Sequence, residues 1–483
     1  MAKPFYLTTT LPYVNAEPHI GFALEIIQAD IIARFKRLLG VEVFFNTGTD
    51  EHGQKIWEKA KEEGEEVQAY VDRYAASVRR LKEELGLSYD AFIRTTDEEH
   101  KTAAQALWLR CAESGDIYKK SYEGLYCVGC EKFLAEKDLD EHGNCPFHPG
   151  KKPVLLAEEN YFFRLSKYQD ALEKYLSSAS VIVPEHRLKE ALEFVRGGLE
   201  DFSISRERER LPWGVPVPGD ENQVMYVWFD ALTNYISTLG WPNDAQGNFK
   251  KFWVSGETLQ MAGKDQVRFQ SIMWQAMLLS AKLPTTGTVF YHGFINSGGQ
   301  RMSKSLGNVI SPFDLVKRYG VEATRYLLAR HVHPVEDTDI TLERLDEWYE
   351  AGLANGLGNQ VARIMKLASV YLDTPVLIPP DALVFDPSFK KSIDAFRINE
   401  AVDVIWEHIA KADAYIQETQ PFKLIKSEDE TKRIQAQEIF VKLSVHLVRI
   451  ATHLRPIMPE TAEKILQAVR TNQMPAALFP RKE

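Results

Sequence analysis

The sequence of 483 residues contains no apolar run of the roughly 18 residues that a membrane-spanning helix requires. Its first residues, Met1-Ala2-Lys3-Pro4-Phe5, lack the long apolar region of a secretory signal peptide. A Gly-x-x-x-x-Gly-Lys-Ser/Thr loop, which cradles phosphate in many nucleotide-binding proteins, is absent as well. These absences argue against a membrane protein and against a P-loop protein, and we expect a cytoplasmic chain with no membrane partner.

An excess of positive charge is also missing, because the formal net charge is −10. This balance argues against indiscriminate nucleic-acid binding, although a specific partner needs only a local basic patch. Hydrophobic residues make up 45% of the chain and charged residues 26%, as in soluble globular proteins. The length exceeds that of one ordinary core, so we expect two or three domains.

The N-terminal part of the chain alternates between strand and helix patterns. Phe5 to Thr10 is rich in aromatic and β-branched residues, which favours a strand, and residues 11–18 contain two prolines, which predict a loop. Apolar residues from Ile20 to Leu38 keep helical spacing. Val41 to Phe45 predicts a second strand, followed by the polar segment Thr47 to Gly53. This βαβ unit indicates an α/β fold with a doubly wound, parallel, Rossmann-like sheet.

The pattern changes to short strand-like pieces from about Tyr118 to Met225, which predicts an inserted domain that splits the sheet. Phe252–Val254 and Thr288–Phe294 are then predicted strands, with a helix over Phe269–Lys282 between them. After about Leu345 the periodicity is helical, which indicates an all-α bundle. We therefore predict five segments, with the boundaries 1–117, 118–225, 226–300, 301–345 and 346–483.

Three of the four cysteines lie close together in the predicted insertion. Cys127-Val128-Gly129-Cys130 is followed, after fourteen residues, by Cys145-Pro146-Phe147-His148. Two close ligand pairs can complete a tetrahedron around Zn²⁺ and leave no open position for catalysis. We predict one structural zinc per chain in a knuckle formed by Cys127, Cys130, Cys145 and His148. His142 as the fourth ligand, or buried thiols without a metal, are the alternatives.

Two short segments carry groups that suit phosphate. His19-Ile20-Gly21-Phe22 begins the first predicted helix, where backbone N–H groups and the helix dipole favour anions. Arg301-Met302-Ser303-Lys304-Ser305 offers two cations and two hydroxyls after a flexible glycine pair, so it can neutralise charge on a polyphosphate. Taken singly, an ordinary helix start and a solvated basic loop are the simpler interpretations.

In combination and in this order, the two segments resemble the signature pair of class I aminoacyl-tRNA synthetases. Further motifs narrow the resemblance to the methionyl-tRNA synthetase family: Leu11-Pro12-Tyr13-Val14-Asn15, Gly48-Thr49-Asp50-Glu51-His52-Gly53, Tyr226-Val227-Trp228-Phe229-Asp230-Ala231, Gly263-Lys264-Asp265 and His292-Gly293-Phe294. The resemblance runs from residue 5 to about residue 465. It implies activation of L-methionine by ATP with Mg²⁺, and transfer of methionine to its initiator and elongator tRNAs.

The resemblance also implies roles for single residues. His19, Lys304 and Arg301 would stabilise the phosphates in the transition state, while Gly21 and Asp265 would contact ATP, Asp265 at the ribose. The methionine site would be formed by Asp50, which pairs with the ammonium group, and by Leu11, Tyr13, Trp228, Tyr235 and His292. For Trp228 and Tyr235, core packing is the interpretation that the residues alone favour.

The resemblance assigns anticodon binding to the helical bundle. Asn359 and Arg363 are four residues apart and therefore face the same way on a helix, although a solvated helix face would look alike. Phe422 stands where the family usually has tryptophan, and its ring keeps a stacking face. Because the sequence stops soon after the bundle, we expect a monomer.

The active-site motifs depart from the family pattern at three positions. Phe22 replaces a histidine or polar residue, Arg301 replaces a lysine but keeps its charge, and Gln270 stands where a histidine is common. We expect these changes to affect the rate more than the reaction type. A synthetase-like RNA-binding or regulatory protein with a weakened active site is the alternative, and Phe22 supports it. Four residues of the expected type argue against it: His19, Asp50, Asp265 and Lys304.

Overall fold

The structure is a computed structural model that describes residues 2–128, 132–148, 150–178, 181–302 and 308–481. The chain divides into two compact units. Unit 1 comprises Met1–Pro18, Val41–Leu81 and Tyr89–His292, and unit 2 comprises His19–Gly40, Lys82–Ser88 and Gly293–Glu483. These units do not follow the five predicted segments, whose boundaries stay predictions.

Strands occur mainly in the first 300 residues, and long helices dominate the rest of the chain. The strands are β1 (Phe5–Thr8), β2 (Val43–Thr49), β3 (Ala91–Arg94), β4 (Ile117–Cys127), β5 (Lys132–Leu134), β6 (Val154–Phe163), β7 (Ile182–Val183), β8 (Phe202–Ser203), β9 (Ser205–Glu207), β10 (Pro216–Val217), β11 (Asp220–Met225), β12 (Glu257–Gly263), β13 (Thr288–His292), β14 (Ile295–Ser297), β15 (Gln300–Arg301) and β16 (Thr338–Asp339). The helices are α1 (Ile20–Leu38), α2 (Gln54–Glu63), α3 (Val67–Glu84), α4 (Glu98–Glu113), α5 (Gln169–Leu176), α6 (Glu185–Arg196), α7 (Val227–Leu232), α8 (Asn234–Ser237), α9 (Trp274–Ser280), α10 (Pro312–Tyr319), α11 (Val321–His331), α12 (Leu342–Tyr349), α13 (Asn359–Tyr371), α14 (Pro387–Asp394), α15 (Ile398–Thr419), α16 (Pro421–Leu424), α17 (Glu430–Leu454) and α18 (Pro459–Thr471).

A six-stranded parallel sheet forms the centre of unit 1. Its strand order is β3-β2-β1-β12-β13-β7, and every pair in it is parallel. The order reverses between β1 and β12, since β2 and β3 extend the sheet on one side of β1 and the later strands extend it on the other. This confirms the predicted doubly wound sheet. In such sheets, ligands bind outside the carboxyl ends of the strands at the reversal point.

The predicted strand over Phe252–Val254 is wrong. These residues end a π-helical turn, Phe249–Val254, and the strand β12 begins later, at Glu257. Phe252 packs on Phe44 with ring centroids 5.5 Å apart, and Trp253 packs on Tyr6 at 6.0 Å. A run of three apolar residues is too short for its period to separate helix from strand, and burial of these rings fits either.

β2 is longer than predicted, because it continues through the polar residues to Thr49. Gly48 permits this extension. A Cβ atom on Gly48 would lie 1.8 Å from the carbonyl oxygen of Ile93 on the neighbouring strand β3. Close approach of the two strands therefore requires glycine at this position.

The predicted insertion contains two antiparallel sheets, β5-β4-β6-β8 and β10-β11-β9. One piece of this region returns to the parallel sheet, where β7 pairs with β13. The sequence between residues 118 and 225 therefore supplies an edge strand to the sheet that it was predicted to interrupt. Two residues in β7 are too few to give a periodic signal.

Unit 2 contains α1, a small sheet of order β15-β14-β16, and the helices from α10 to α18. The predicted helical C-terminal region is confirmed, with α13, α15 and α17 among its helices. Among the described residues, no helix combines the length and apolar character that crossing a membrane requires.

A buried ion pair joins the elements of unit 2. Arg325 on α11 and Asp30 on α1 have fully buried side chains, and Nη2 of Arg325 lies 2.7 Å from Oδ2 of Asp30. Arg325 also donates to the carbonyl oxygens of Leu85, Pro456 and Ile457. Burial raises the pKa of Asp30, but Arg325 and Arg34 outweigh it and the net pKa is lowered. The ionised carboxylate is thus stabilising at neutral pH, and this contribution is lost as the pH falls below the ordinary aspartate value of about 3.9.

Replacing the buried arginine should unfold unit 2 at much lower denaturant concentration. Arg325→Met leaves the Asp30 carboxylate buried without its main cation, and we expect a loss of about 3–5 kcal/mol at neutral pH in urea unfolding. Arg344→Met, which removes an exposed ion pair with Asp339, is the matched control, with an expected loss of about 0–1 kcal/mol. Equal losses in the two variants would contradict this account of the Arg325 pair.

Candidate active site

The carboxyl ends of the parallel strands in unit 1 carry five of the predicted site residues. Leu11 and Tyr13 follow β1, Asp50 follows β2, Asp265 lies in the turn after β12, and His292 is the last residue of β13. Because the carboxyl ends of neighbouring parallel strands meet at one edge, the fold places these residues at the reversal point of the sheet. Residues that are almost 300 positions apart in sequence thus share one edge.

The loop after β1 is paired with the segment after β2. Tyr13 and Asp50 form an isolated parallel bridge. Asp50 N–H donates to the carbonyl oxygen of Pro12 at 3.1 Å, and Val14 N–H donates to the carbonyl oxygen of Asp50 at 3.1 Å. The Asp50 side chain is buried, at 3% exposure. A carboxylate fixed here by its backbone is chemically suited to a ligand with a positive charge.

The residue after Asp50 anchors this segment. Glu51 is fully buried, and its carboxylate accepts two hydrogen bonds from the guanidinium of Arg94, at 2.7 and 2.8 Å. Thr49 Oγ1 donates to the same carboxylate at 2.6 Å, and Thr96 Oγ1 donates to it at 2.5 Å. A buried carboxylate with this many donors is held rigidly, and it restrains the backbone at Asp50.

A second buried carboxylate lies behind the site. Oδ2 of Asp230 is 2.6 Å from Nδ1 of His52, and Oδ1 is 2.8 Å from Nε2 of His100. Burial raises the pKa of Asp230, but the two histidines outweigh it and lower the pKa to about 2. The sequence motifs indicate no separate role for these three residues. Asp230 lies inside a quoted motif, whereas His100 has no sequence signal and enters only through the fold.

The predicted aromatic residues Trp228 and Tyr235 are both held by the π-helical turn Phe269–Met273. The ring of Phe269 stacks on Trp228 with centroids 4.0 Å apart. Nε2 of Gln270 donates to the hydroxyl of Tyr235 at 2.7 Å. Trp228 is half-buried and Tyr235 is buried. The unusual Gln270 therefore supplies a hydrogen bond to a predicted site residue.

The first phosphate segment forms the N-terminus of α1 in unit 2. His19 is the N-cap residue, and its Nδ1 accepts the Gly21 N–H at 3.0 Å. A Cβ atom on Gly21 would lie 2.8 Å from Cε1 of His19, so glycine lets the imidazole cap the helix. Phe22, which stands where the family has a histidine or polar residue, is buried, at 8% exposure. Its ring therefore packs in the interior instead of facing solvent.

The second phosphate segment is only partly described. The backbone of Arg301 pairs with Asn296 in the hairpin of β14 and β15, whose turn contains Gly298 and Gly299 in left-handed conformations. The turn is tied to β16 by a 2.7 Å hydrogen bond from Gly299 N–H to Asp339 Oδ1. The side chain of Arg301 and the whole of Lys304 lie outside the described residues.

Comparison with known proteins identifies the family. The family model described as class I tRNA synthetases (M) matches residues 5–149 and 147–365. A methionine–tRNA ligase from Thermotoga maritima is 42% identical over 98% of this chain and 76% of its own length. One from Rhizobium meliloti is 39% identical over 97% of this chain and 92% of its own length. The chain belongs to the methionine–tRNA ligase family.

A solved member of the methionine–tRNA ligase family has the same fold. The Mycobacterium tuberculosis methionyl-tRNA synthetase in complex with methionyl-adenylate superimposes with a TM-score of 0.89 at 36% identity. The match covers 100% of this chain and 99% of that chain. The class I fold expected from the motifs is thereby confirmed.

In the present chain, three of the four predicted metal ligands come together. Nδ1 of His148 lies 3.8 Å from Sγ of Cys127 and 3.7 Å from Sγ of Cys145. A tetrahedral zinc with bond lengths of 2.0–2.3 Å would separate such ligand atoms by roughly 3.5–3.8 Å, so the three fit the ion. Cys130 lies outside the described residues. The alternative ligand His142 is exposed and lies near Glu141.

A second cluster of potential ligands, which the sequence did not indicate, lies among the helices of unit 2. Asp386, His408 and His453 have ligand atoms within 4.8 Å of one another. Two hydrogen bonds join the three residues. Nε2 of His408 is 2.8 Å from Oδ2 of Asp386, and Asp386 N–H donates to Nε2 of His453 at 2.9 Å. These bonds join Asp386, the residue before α14, to His408 on α15 and His453 on α17.

The predicted anticodon residues lie on two helices of unit 2. Asn359 is exposed at the start of α13, and Arg363 follows one turn later. Nη2 of Arg363 donates to Oδ1 of Asp413 on α15 at 2.9 Å. Phe422 on α16 is 39% exposed. The ring of Phe422 is therefore accessible for stacking, whereas Arg363 is held by a carboxylate with which no sequence pattern connects it.

Proposed function

We propose that this chain uses ATP to activate L-methionine as methionyl-adenylate and then transfers the methionyl group to tRNA. The main support is the buried Asp50 at the reversal point of the sheet, with Trp228 and Tyr235 held by one π-helical turn. A carboxylate for an ammonium group and aromatic faces for a polarisable thioether match the two ends of methionine.

The first step is an in-line displacement. A carboxylate oxygen of methionine attacks the α-phosphorus of ATP, an O–P bond forms, and the bond from that phosphorus to the pyrophosphate oxygen breaks. Such a reaction needs positioning and charge neutralisation but no protein nucleophile. We assign the ammonium group to Asp50, and the rest of methionine to Leu11, Tyr13, Trp228, Tyr235 and His292.

A second set of residues is assigned to the phosphates and the ribose of ATP. Because Nδ1 of His19 accepts a hydrogen bond, the imidazole proton of the neutral ring resides on Nε2, which is the donor form that a phosphate contact needs. We assign His19, Gly21, Lys304 and Arg301 to the phosphates and Asp265 to the ribose. Mg²⁺ bound with ATP supplies further neutralisation of phosphate charge.

The second step transfers methionine to tRNA. A hydroxyl of the terminal adenosine attacks the carbonyl carbon of the adenylate, and AMP leaves. We propose that initiator and elongator tRNAs are both substrates and that Asn359, Arg363 and Phe422 contact the anticodon. The exposed ring of Phe422 suits base stacking, and the ion pair with Asp413 orients Arg363. The cytoplasmic location and the monomeric state stay predictions.

We propose that Cys127, Cys130, Cys145 and His148 hold one structural Zn²⁺. Burial and the nearby Lys55 and Lys151 lower the pKa of His148, which favours the neutral ring that binds metals. Cys127 and Cys145 are buried together with Leu134 in a very small apolar cluster. So small a core gives little stability by itself, which fits a role for the ion in folding.

The proposed function predicts methionine-dependent ATP–pyrophosphate exchange. The adenylate step is reversible, so labelled pyrophosphate should enter ATP when methionine is present. The assay is run with each of the twenty standard amino acids at equal concentration. Exchange with methionine at least about 100-fold above that with leucine, isoleucine or valine is expected if the aromatic site selects the thioether. Absence of exchange with all twenty would favour the regulatory alternative.

Lys304→Ala should slow adenylate formation with little change in methionine affinity. Removing a cation that acts on the transition state is expected to cost about 10²–10³ in kcat. Lys317→Ala, at an exposed position of α10, is the matched control and should retain wild-type kinetics. Single-turnover kinetics separate the chemical step from binding, and an unchanged rate constant in Lys304→Ala would remove Lys304 from this role.

Purified protein should contain about one zinc per chain by mass spectrometry of the metal content. Cys145→Ser should lower that content and reduce thermal stability, because a thiolate ligand is lost. Cys111→Ser is the matched control, since Cys111 is buried in α4 outside the cluster, with its Sγ 3.7 Å from the carbonyl oxygen of Met277. Protein that is stable and free of zinc would contradict the knuckle.

A further inference from the structure

Unit 1 contains a buried chain of hydrogen bonds that runs from His52 through Asp230 and His100 to Ser237. The His52–Asp230 distance is 2.6 Å, the Asp230–His100 distance is 2.8 Å, and Nδ1 of His100 lies 3.0 Å from Oγ of Ser237. All four side chains are at most 5% exposed. The chain of bonds therefore lies in the interior and cannot itself contact solvent.

We propose that Asp230, with His52, His100 and Ser237, is a positioning cluster that sets the spacing of the methionine site. This inference rests on the proposed function, because it takes the assigned methionine residues as given. Three members of the cluster are each two residues from an assigned methionine residue. His52 follows Asp50, Asp230 follows Trp228, and Ser237 follows Tyr235, each at this interval.

The separation of two residues determines the relative directions of the side chains. Side chains two apart on a helix point in different directions, so Trp228 can line the site while Asp230 points into the interior. The observed burial agrees, since Trp228 is half-buried and Asp230 is fully buried. The cluster thus connects the backbones that carry the methionine residues without occupying the site.

The Asp230 carboxylate connects three separate parts of the chain. His52 lies in the segment between β2 and α2, Asp230 lies on α7, and His100 lies on α4. Loss of the hydrogen bond between His52 and Asp230 would release the Asp50 segment from the α7 turn that carries Trp228. Since the two would hold opposite ends of methionine, the expected defect is in methionine binding and not in ATP binding.

The segment that carries His52 is also restrained from its other side. The indole N–H of Trp213 donates to the carbonyl oxygen of Glu51 at 2.6 Å, and the ring of Trp213 meets His52 edge-on with centroids 5.5 Å apart. The backbone at Asp50 is paired with the Tyr13 loop. With these other contacts in place, loss of the Asp230 bond should shift the segment without unfolding it.

The test compares removal of the hydrogen bond with its conservative replacement. His52→Ala deletes the donor to Asp230, whereas His52→Asn keeps an amide N–H near the place of Nδ1. We expect His52→Ala to raise the methionine KM in ATP–pyrophosphate exchange by at least about tenfold, equivalent to about 1.4 kcal/mol. The KM for ATP should stay within about twofold, and His52→Asn should restore the methionine KM to within about threefold of wild type.

Asp230→Asn is the second variant. An asparagine offers one acceptor oxygen and one NH2 donor, so one of the two imidazoles keeps a bond only if its ring changes to the tautomer that accepts. We expect the methionine KM to rise, by no more than in His52→Ala. Asp116→Asn is its matched control. Asp116 is also fully buried in unit 1 and bonds Lys167 at 2.5 Å and Ser280 at 2.8 Å, neither of which is an assigned methionine residue. It should lower thermal stability and leave the methionine KM unchanged.

Several outcomes would overturn the positioning role. One is a folded His52→Ala with a wild-type methionine KM, and another is an equal effect of His52→Ala and His52→Asn. A third is a rise in methionine KM in Asp116→Asn as large as in Asp230→Asn, which would indicate general loosening of the fold. If Asp230→Asn does not fold, the two His52 variants decide. Failure of the wild-type protein to exchange with methionine is a separate result that contradicts the proposed function.

Discussion

The reversal of strand order between β1 and β12 is the constraint on which the functional part of unit 1 depends. Parallel strands on either side of this point present their carboxyl ends at one edge, and the connections leave in opposite directions. The segments with Tyr13, Asp50, Asp265 and His292 all begin at that edge. Their proximity is a consequence of topology, so it does not depend on contacts between the side chains themselves.

Buried carboxylates support this edge of the sheet. Glu51 is held by Arg94, and Asp230 is held by His52 and His100, with all four hydrogen bonds at 2.8 Å or less. Buried carboxylates without such partners would be strongly destabilising. The paired carboxylates of Glu51 and Asp230 therefore each fix the backbone near an assigned methionine residue. Unit 2 also contains a buried carboxylate held by a cation, since the ion pair of Arg325 and Asp30 joins α11 to α1.

Sequence patterns predict those features of the structure that depend on residues close together in the chain. The helical spacing of α1, the loop after β1 and the long helices of the C-terminal region follow from periodicity and from glycine and proline positions. The grouping of Cys127, Cys145 and His148 follows from ligand spacing. The signature residues were found by the same route, since short motifs keep their order and spacing in the chain.

The missed features depend on contacts between distant parts of the chain. His100 meets Asp230 across 130 positions, and Arg363 meets Asp413 across 50. Hydrophobic periodicity along the sequence gives no information about pairs of residues so far apart. The two-residue strand β7 and the π-helical turn before β12 were missed for a different reason, because short aromatic or β-branched runs fit several conformations. The residue type of Phe22 does not reveal that its ring is buried, because burial depends on the tertiary fold.

Attachment of methionine to tRNA is the activity on which all these residue assignments rest. The most direct measurement is aminoacylation of total tRNA by the purified protein with each labelled amino acid in turn and with ATP. We predict that only methionine becomes attached in an ester that is labile to mild base, and that attachment requires ATP. Attachment of a different amino acid, or no attachment of methionine in the presence of ATP and tRNA, would contradict the account.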